Sequence, residues 1–229
     1  MIHFVGAGPG ASDLITVRGA RFLSEADVIV HAGSLVNPTL LERAKPGATV
    51  LDSAGMTLEQ VLSVMKEAET AGKATVRLHT GDPSLYGAIR EQMDALSAAG
   101  IPFDVTPGVS SLFGAAAALK AEYTLPGVSQ SVIVTRVDGR TPVPAGERLR
   151  DMAAHGCTIA LFLSTGLLDR VERELAAGGF APDAPAAIVY KATWPDERVL
   201  RCTVSTLART AGEAGIMNTA LVLVGGFLA

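Results

Sequence analysis

Three times in the first half of the chain, a short apolar run breaks on a turn containing glycine or proline and passes straight into a helix-forming segment. The stretches are "VGAGPGASDL", "LHTGDPSLYG" and "VTPGVSSLFG". The apolar runs in this half are "IHFVGAG", "DVIVHA", "ATVLDSA", "TVRLHT" and "PFDVTP". Most are apolar throughout and do not alternate, as strands buried on both faces of a parallel sheet are. Helical patterns separate them. "DLITVRGARFLSEA" reads as a helix with Ser12 as N-cap. "TLEQVLSVMKEAETAG" has Thr57 and Gln60 as a capping box, a shared face of Leu58, Val61, Leu62 and Met65, and Gly72 as its stop. Ser84 to Ala99 reads as a third helix, with Leu85, Ala88, Ile89 and Leu96 inward, and Val109 to Lys120 as a fourth. Alternating strands and helices predict an α/β domain with helices on both faces of its sheet. In such a sheet the three turns gather along one edge, at the carboxyl ends of the strands, where α/β proteins bind ligands.

The texture changes near Glu122. "YTLPGVSQ" is a loop and "SVIVTRV" a strand, followed by the polar connection "DGRTPVPAG". "CTIALFLS", "AAIVYKA", "RVLRCTV" and "ALVLVGGFL" are further strands, with helices around Leu167 to Ala177 and Thr206 to Ala214. The short link "TWPDE" between two of these strands signals a hairpin, so this half has a mixed sheet. The reading is two α/β domains, residues 1–120 and 121–229, with the cleft between them as the default ligand site.

At 229 residues, with 48% hydrophobic and 18% charged residues, the chain has ample material for a buried core and is not disordered. No apolar run approaches the ~20 residues a membrane-spanning helix needs. The first strand starts at Ile2, so no signal peptide is expected. Cys157 and Cys202 are too few for a disulfide framework or a cysteine-rich metal site, which fits a reducing, cytoplasmic setting. A net charge of −4 without a basic block argues against nucleic acid.

Gly6, Gly8 and Ala11 can be laid onto the dinucleotide pattern G-x-G-x-x-G/A. A nicotinamide site then requires an acidic residue at the end of the second strand. His31 and Ala32 stand there, and Asp27 lies at the wrong end. No Gly-Lys-Ser/Thr follows, so the turn is not a phosphate-binding loop. Taken alone, its glycines are equally well explained as a tight turn.

Taken together, "VGAGPGASDLITVRGARFLSEADVIVHAGSLV", "LHTGDPSLYGAIREQM", "VTPGVSSLFGAAAAL" and "TALVLVGGFL" resemble the tetrapyrrole methyltransferase family, in order and over essentially the whole chain. The resemblance implies two α/β domains with S-adenosylmethionine (SAM) folded into the cleft, S-adenosylhomocysteine as product, and a homodimer. "HAGSLV" with "RLHTGDPSLYGAIREQM" resembles the members that methylate ring carbon 11 of a corrin precursor in cobalamin synthesis; His31 stands where those members usually have Tyr. Other outcomes are an early uroporphyrinogen methylase, a diphthamide-type enzyme acting on protein, a nicotinamide oxidoreductase, or a noncatalytic binding domain.

The resemblance carries cofactor contacts onto Pro9, Thr80, Gly81, Asp82, Leu85, Ser110 and Ser111, and in the second half onto Leu163, Ala192 and Ala220. Gly81 lets backbone approach a ligand, and Pro83 fixes the turn and starts the helix at N1. Asp82 accepts hydrogen bonds or faces positive charge, or else simply caps the helix from Ser84. Methyl transfer to a nucleophilic ring carbon needs in-line placement more than a strong base, so no catalytic residue is assigned. A substrate bearing many carboxylates requires a local basic trough in an acidic chain. Its candidates are Arg90, Lys120, Arg136 and Lys191, each of which reads equally as a solvated surface charge. Tyr86 packs on cofactor or fills core. His3 and His79 read as structural, and the two cysteines, Met65 and Met93 as core.

Overall fold

Five strands of the first half, β1 (Ile2–Gly6), β2 (Val28–His31), β3 (Thr49–Asp52), β4 (Thr75–His79) and β5 (Phe103–Thr106), pair in the order β3-β2-β4-β1-β5. Every pairing is parallel. The computed structural model describes residues 1–139 and 141–229, and of Ser34 the backbone only. The Ser34 side chain of "HAGSLV" and Arg140 of the polar connection therefore lie outside the described residues.

Side chains alternate across this sheet as the pleat requires. Ile2, Phe4, Val28 and Val30 pack on one face with Val61, Leu62 and Met65 of α2 (Leu58–Thr70) and Leu96 of α3 (Arg90–Ala98). Val5, Ile29, Val76 and Leu78 pack on the other with Leu23 of α1 (Val17–Glu25) and Leu40. His3 stacks on Phe22 and hydrogen-bonds Asp104. The capping box on α2 is present, and Met93 packs against the core.

Two helix starts differ from the sequence reading. Ser12–Leu14 is a 3-10 turn, and α1 begins at Val17 because Thr16 accepts the N–H of Gly19. Gly19 sits so close to β1 that a Cβ there would lie 2.9 Å from Val5 Cγ1, which fixes how the helix lies on the sheet. The third helix begins at Arg90, not Ser84. Tyr86 and Ala88 hold left-handed backbone, with φ of 57° and 50°, and no helix passes through such residues. Ala88 is accordingly exposed rather than inward.

The second sheet holds β6 (Val132–Thr135), β7 (Thr158–Leu161), β8 (Pro185–Tyr190), β9 (Arg198–Thr203) and β10 (Ala220–Val224), in the order β6-β7-β10-β8-β9. Only β6 and β7 are parallel, and β8 and β9 form the hairpin. One face packs on α6 (Leu168–Ala177), α7 (Leu207–Glu213) and a short helix, α5 (Leu149–Ala153), absent from the sequence reading. The other packs on Leu112, Ala115 and Leu119 of α4 (Ser111–Leu119). The backbone divides into compact units Met1–Ser111 and Leu112–Ala229. The texture change near residue 120 falls one helix later, because α4 buries its apolar face against the second sheet. Both cysteines are free and half-buried, and burial pushes the Cys202 thiol up to about 11. No helix among the described residues is long and apolar enough to cross a membrane.

Candidate functional site

β1 and β4 are neighbours, yet their chains leave toward opposite faces of the sheet. β1 leads to α1 on one face, and β4 leads to α3 on the other. Such a point of divergence opens a crevice at the carboxyl ends of the strands.

Glycine backbone holds that point together. Gly8 and Gly81 exchange both backbone hydrogen bonds, at 3.2 and 2.8 Å, joining the turn after β1 to the turn after β4. The turn after β5 packs on both: a Cβ on Gly108 would lie 2.2 Å from the Gly81 carbonyl oxygen and 2.8 Å from Gly6 Cα. Asp82 adds the polar tie. One carboxylate oxygen accepts from the Ser84 N–H and hydroxyl, and the other accepts the Gly108 N–H at 2.8 Å. Burial favours the neutral acid, but these three hydrogen bonds outweigh it and hold the carboxyl below its ordinary range. The turn after β2 joins the group through Asn37, whose Nδ2 donates to the Gly10 carbonyl at 2.8 Å. The three turns found in the sequence therefore converge, and Asp82 both caps its own turn and fastens its neighbour. Pro9 and Ser110 are buried here, and Thr80, Leu85 and Ser111 are half-buried.

Beyond Asp82 the chain is strained. Tyr86, 43% exposed, and Ala88 each hold a left-handed conformation that costs about 1–2 kcal/mol. Between them the Gly87 backbone lies close enough to Pro83 that a Cβ would sit 2.2 Å from its carbonyl oxygen.

Four buried side-chain atoms have no hydrogen-bond partner among the described residues: His31 Nδ1, His79 Nε2, Thr106 Oγ1 and Thr75 Oγ1. His31, His79 and Thr106 are the last residues of β2, β4 and β5. Buried polar groups are normally paired. Three such atoms lie on the edge where the glycine turns meet, where an ordered water or a polar ligand would pair them. His79 is also held neutral, its pKa lowered to about 3 by burial and by the Arg77 charge.

The nicotinamide reading finds no support in this geometry. His31 ends β2, whereas Asp27 precedes its start, where it accepts the Ala74 N–H and pairs with Lys45.

In the second unit Leu163, Ala192 and Ala220 also share one edge. Ala220 pairs with Tyr190, and its carbonyl accepts the Thr165 hydroxyl at 3.0 Å. Lys191 N–H donates to the Thr219 carbonyl, and Val137 N–H to Ser164 Oγ. Leu163, Lys191, Thr193 and Thr219 all hold positive φ there, and Leu163 is 69% exposed. Strain of this kind clusters at functional sites.

Three of the four basic candidates are held by acceptors of their own. Lys191 donates to Asp196 and lies over the Tyr190 and Trp194 rings. Arg136 folds back onto the carbonyls of Val137, Thr141 and Pro142. Arg90 pairs with Asp94 on the solvent face of α3. Lys120 follows α4, whose last carbonyl, Leu119, accepts from Arg201 of β9.

Sequence reasoning missed Gly108, Asn37 and Arg77. The signal for Arg77 was present: a charged residue in the apolar strand "TVRLHT" has to find buried partners.

The family model described as Tetrapyrrole (Corrin/Porphyrin) Methylases matches residues 1–208. A cobalt-precorrin-4 C(11)-methyltransferase of Methanocaldococcus jannaschii is 53% identical over 99% of this chain and 88% of its own length. A precorrin-4 C(11)-methyltransferase of Mycobacterium tuberculosis is 44% identical, over 99% and 91%. Among solved structures, a cobalt precorrin-4 methyltransferase of cobalamin biosynthesis superposes with a TM-score of 0.97 at 49% identity, covering 100% of this chain and 95% of that one. A uroporphyrin-III C-methyltransferase from Thermus thermophilus, complexed with S-adenosylhomocysteine, superposes at 0.83 with 27% identity, covering 99% and 92%.

Proposed function

The chain belongs to the tetrapyrrole (corrin/porphyrin) methylase family, and from that premise we propose that it transfers a methyl group from SAM to ring carbon 11 of precorrin-4. The higher identity to cobalt-named relatives, 53% against 44%, favours the cobalt-bearing form of that substrate. The observation that carries the reading is the convergence of three glycine turns where β1 and β4 diverge, with His31, His79 and Thr106 left unpaired on the same edge.

SAM, when bound, supplies an electrophilic methyl group on a sulfonium. The chain's own part is placement. The turns at Pro9, Thr80 to Asp82, Leu85, Ser110 and Ser111 are the proposed cofactor contacts of the first unit, and Leu163, Ala192 and Ala220 those carried by the second. Backbone dominates such contacts, since Gly81 brings the chain close without a side chain. Holding acceptor carbon and methyl in line supplies roughly 7–11 kcal/mol of the barrier reduction, so a strong base is not required. Lys191 is the proposed partner of a substrate carboxylate, exchanging it for Asp196. Arg90 and Arg136 are weaker candidates because internal acceptors already hold them, and Lys120 is the fourth candidate. The same reading takes a homodimer as the working form, as the family resemblance implies, and a cytoplasmic setting, which two unpaired cysteines fit.

Two measurements test the proposal. Titration with S-adenosylhomocysteine in a calorimeter should give saturable binding to the folded protein. Incubation with SAM and cobalt-bearing or metal-free precorrin-4 should add the mass of one methyl group, faster with the cobalt form. Folded protein that shows neither binding nor methylation overturns the reading.

A further inference from the structure

Arg77 sits in the middle of β4, 7% exposed, on the face covered by α2 and α3. A cation there is costly, and an apolar residue of similar volume often stabilises more. None of the described residues gives Arg77 a carboxylate. Its guanidinium donates instead to the Val30 carbonyl at 3.1 Å and to Gln92 Oε1 at 3.1 Å. Gln92, 5% exposed in α3, turns its other amide atom outward along the chain, and Nε2 donates to the Ala88 carbonyl at 3.0 Å. Ala88 is one of the two left-handed residues of the strained turn that follows Asp82. A rigid strand is thus coupled, through one fixed amide, to the backbone of the segment that carries Leu85 and Tyr86.

We propose that Gln92 is a positioning residue: clamped by Arg77, it holds the strained Tyr86–Ala88 turn in the shape that binds the cofactor. The inference rests on the methyltransferase reading for its purpose, though not for its geometry. The arrangement explains why the buried face of β4 keeps a charge. The five N–H groups of a guanidinium orient the amide so that its oxygen points to Arg77 and its nitrogen to Ala88. An apolar pair fills the same space but leaves the Ala88 carbonyl without its donor.

The substitution Gln92→Glu separates positioning from packing, because the two roles predict opposite results. A glutamate keeps an acceptor for Arg77 and turns the contact into an ion pair, so the melting temperature should hold or rise. It also replaces the donor to the Ala88 carbonyl with a carboxylate oxygen. Amide exchange over residues 84–88, measured without ligand, should quicken by on the order of tenfold, and affinity for S-adenosylhomocysteine should fall by a similar factor. The double variant Arg77→Met with Gln92→Met removes both partners together and covers the case in which a lone glutamate fails to fold. It should melt no lower than the parent and show the same faster exchange and weaker binding. Exchange and affinity equal to the parent in a folded variant overturn the proposal. If the parent itself fails to bind S-adenosylhomocysteine, the methyltransferase reading falls, while the exchange result still decides whether Gln92 holds the turn.

Discussion

Asp82 looks from sequence like a group aimed at a ligand, yet three of the roughly four lone-pair directions of its carboxylate go to Ser84 and Gly108. Its effect on anything bound is therefore exerted through the turns that it ties. Asp82→Asn tests this with almost no change of shape. An asparagine keeps one acceptor, but its NH2 group must face either the Gly108 N–H or the Ser84 donors. The loss of one charged hydrogen bond, with a donor turned against the amide, should cost about 1–3 kcal/mol of stability. S-adenosylhomocysteine affinity should fall with it, because the β5 turn is released. Full stability with lost affinity would instead mean that the carboxylate touches the cofactor directly. The lowered pKa of Asp82 has a defined sign. The native state favours the ionised form, so its contribution is complete above the ordinary carboxylate pKa of 3.8 and is lost as pH falls through the lower native value.

At the scale of elements, the central strands were legible because a strand buried on both faces writes itself as an uninterrupted apolar run, and all ten of the segments read as strands pair in the two sheets. Helix starts were less legible. Ser12 and Thr16 are both competent caps, and only the close fit of Gly19 on Val5 decides for Thr16. The stretch after Pro83 has helical spacing, and nothing local announces that Tyr86 and Ala88 turn left-handed. α5 was missed because five residues are too few to display a period. The candidate edge was visible in its glycines, whereas the partners that fix it, Gly108 for Asp82 and Gln92 for Ala88, are 26 and 4 residues distant and known only from the fold. Glycine itself supplies a prediction at this scale. In Gly108→Ala the new methyl would lie 2.2 Å from the Gly81 oxygen, with backbone on every side, so the three turns must part. In Gly72→Ala, at the end of α2, φ is +68° but nothing lies within 4 Å. The second change should cost about 1–2 kcal/mol, the left-handed penalty alone, and leave S-adenosylhomocysteine binding untouched. The first should lower stability further and abolish binding. Equal affinities in the two variants would show that the close packing of the turns has no bearing on the ligand.

For the molecule as a whole, net charge and site charge are separate matters. A chain of net charge −4 can still attract a polycarboxylate if one edge is locally basic, since the field near the site decides encounter. Acid sensitivity is a property of the whole molecule to which buried His79 contributes. Burial and the neighbouring Arg77 keep this imidazole neutral, with a native pKa of about 3 against 6.5 for a free histidine. The unfolded chain takes up a proton that the folded chain refuses. Stability from this group is therefore complete above 6.5 and declines as pH falls toward 3, at about 1.4 kcal/mol per pH unit. Between about pH 7 and about pH 4.5 the loss is about 2–3 kcal/mol, a large share of the 5–15 kcal/mol that holds most domains together. Asp82 does not enter in this window, because its contribution declines only below 3.8. Urea unfolding followed by circular dichroism at those two pH values should show the loss in the parent protein. His79→Gln, which cannot take up the proton, should flatten the pH dependence, whatever its buried amide costs at neutral pH. A parent and a variant that lose stability in parallel on acidification would place the sensitivity elsewhere in the chain.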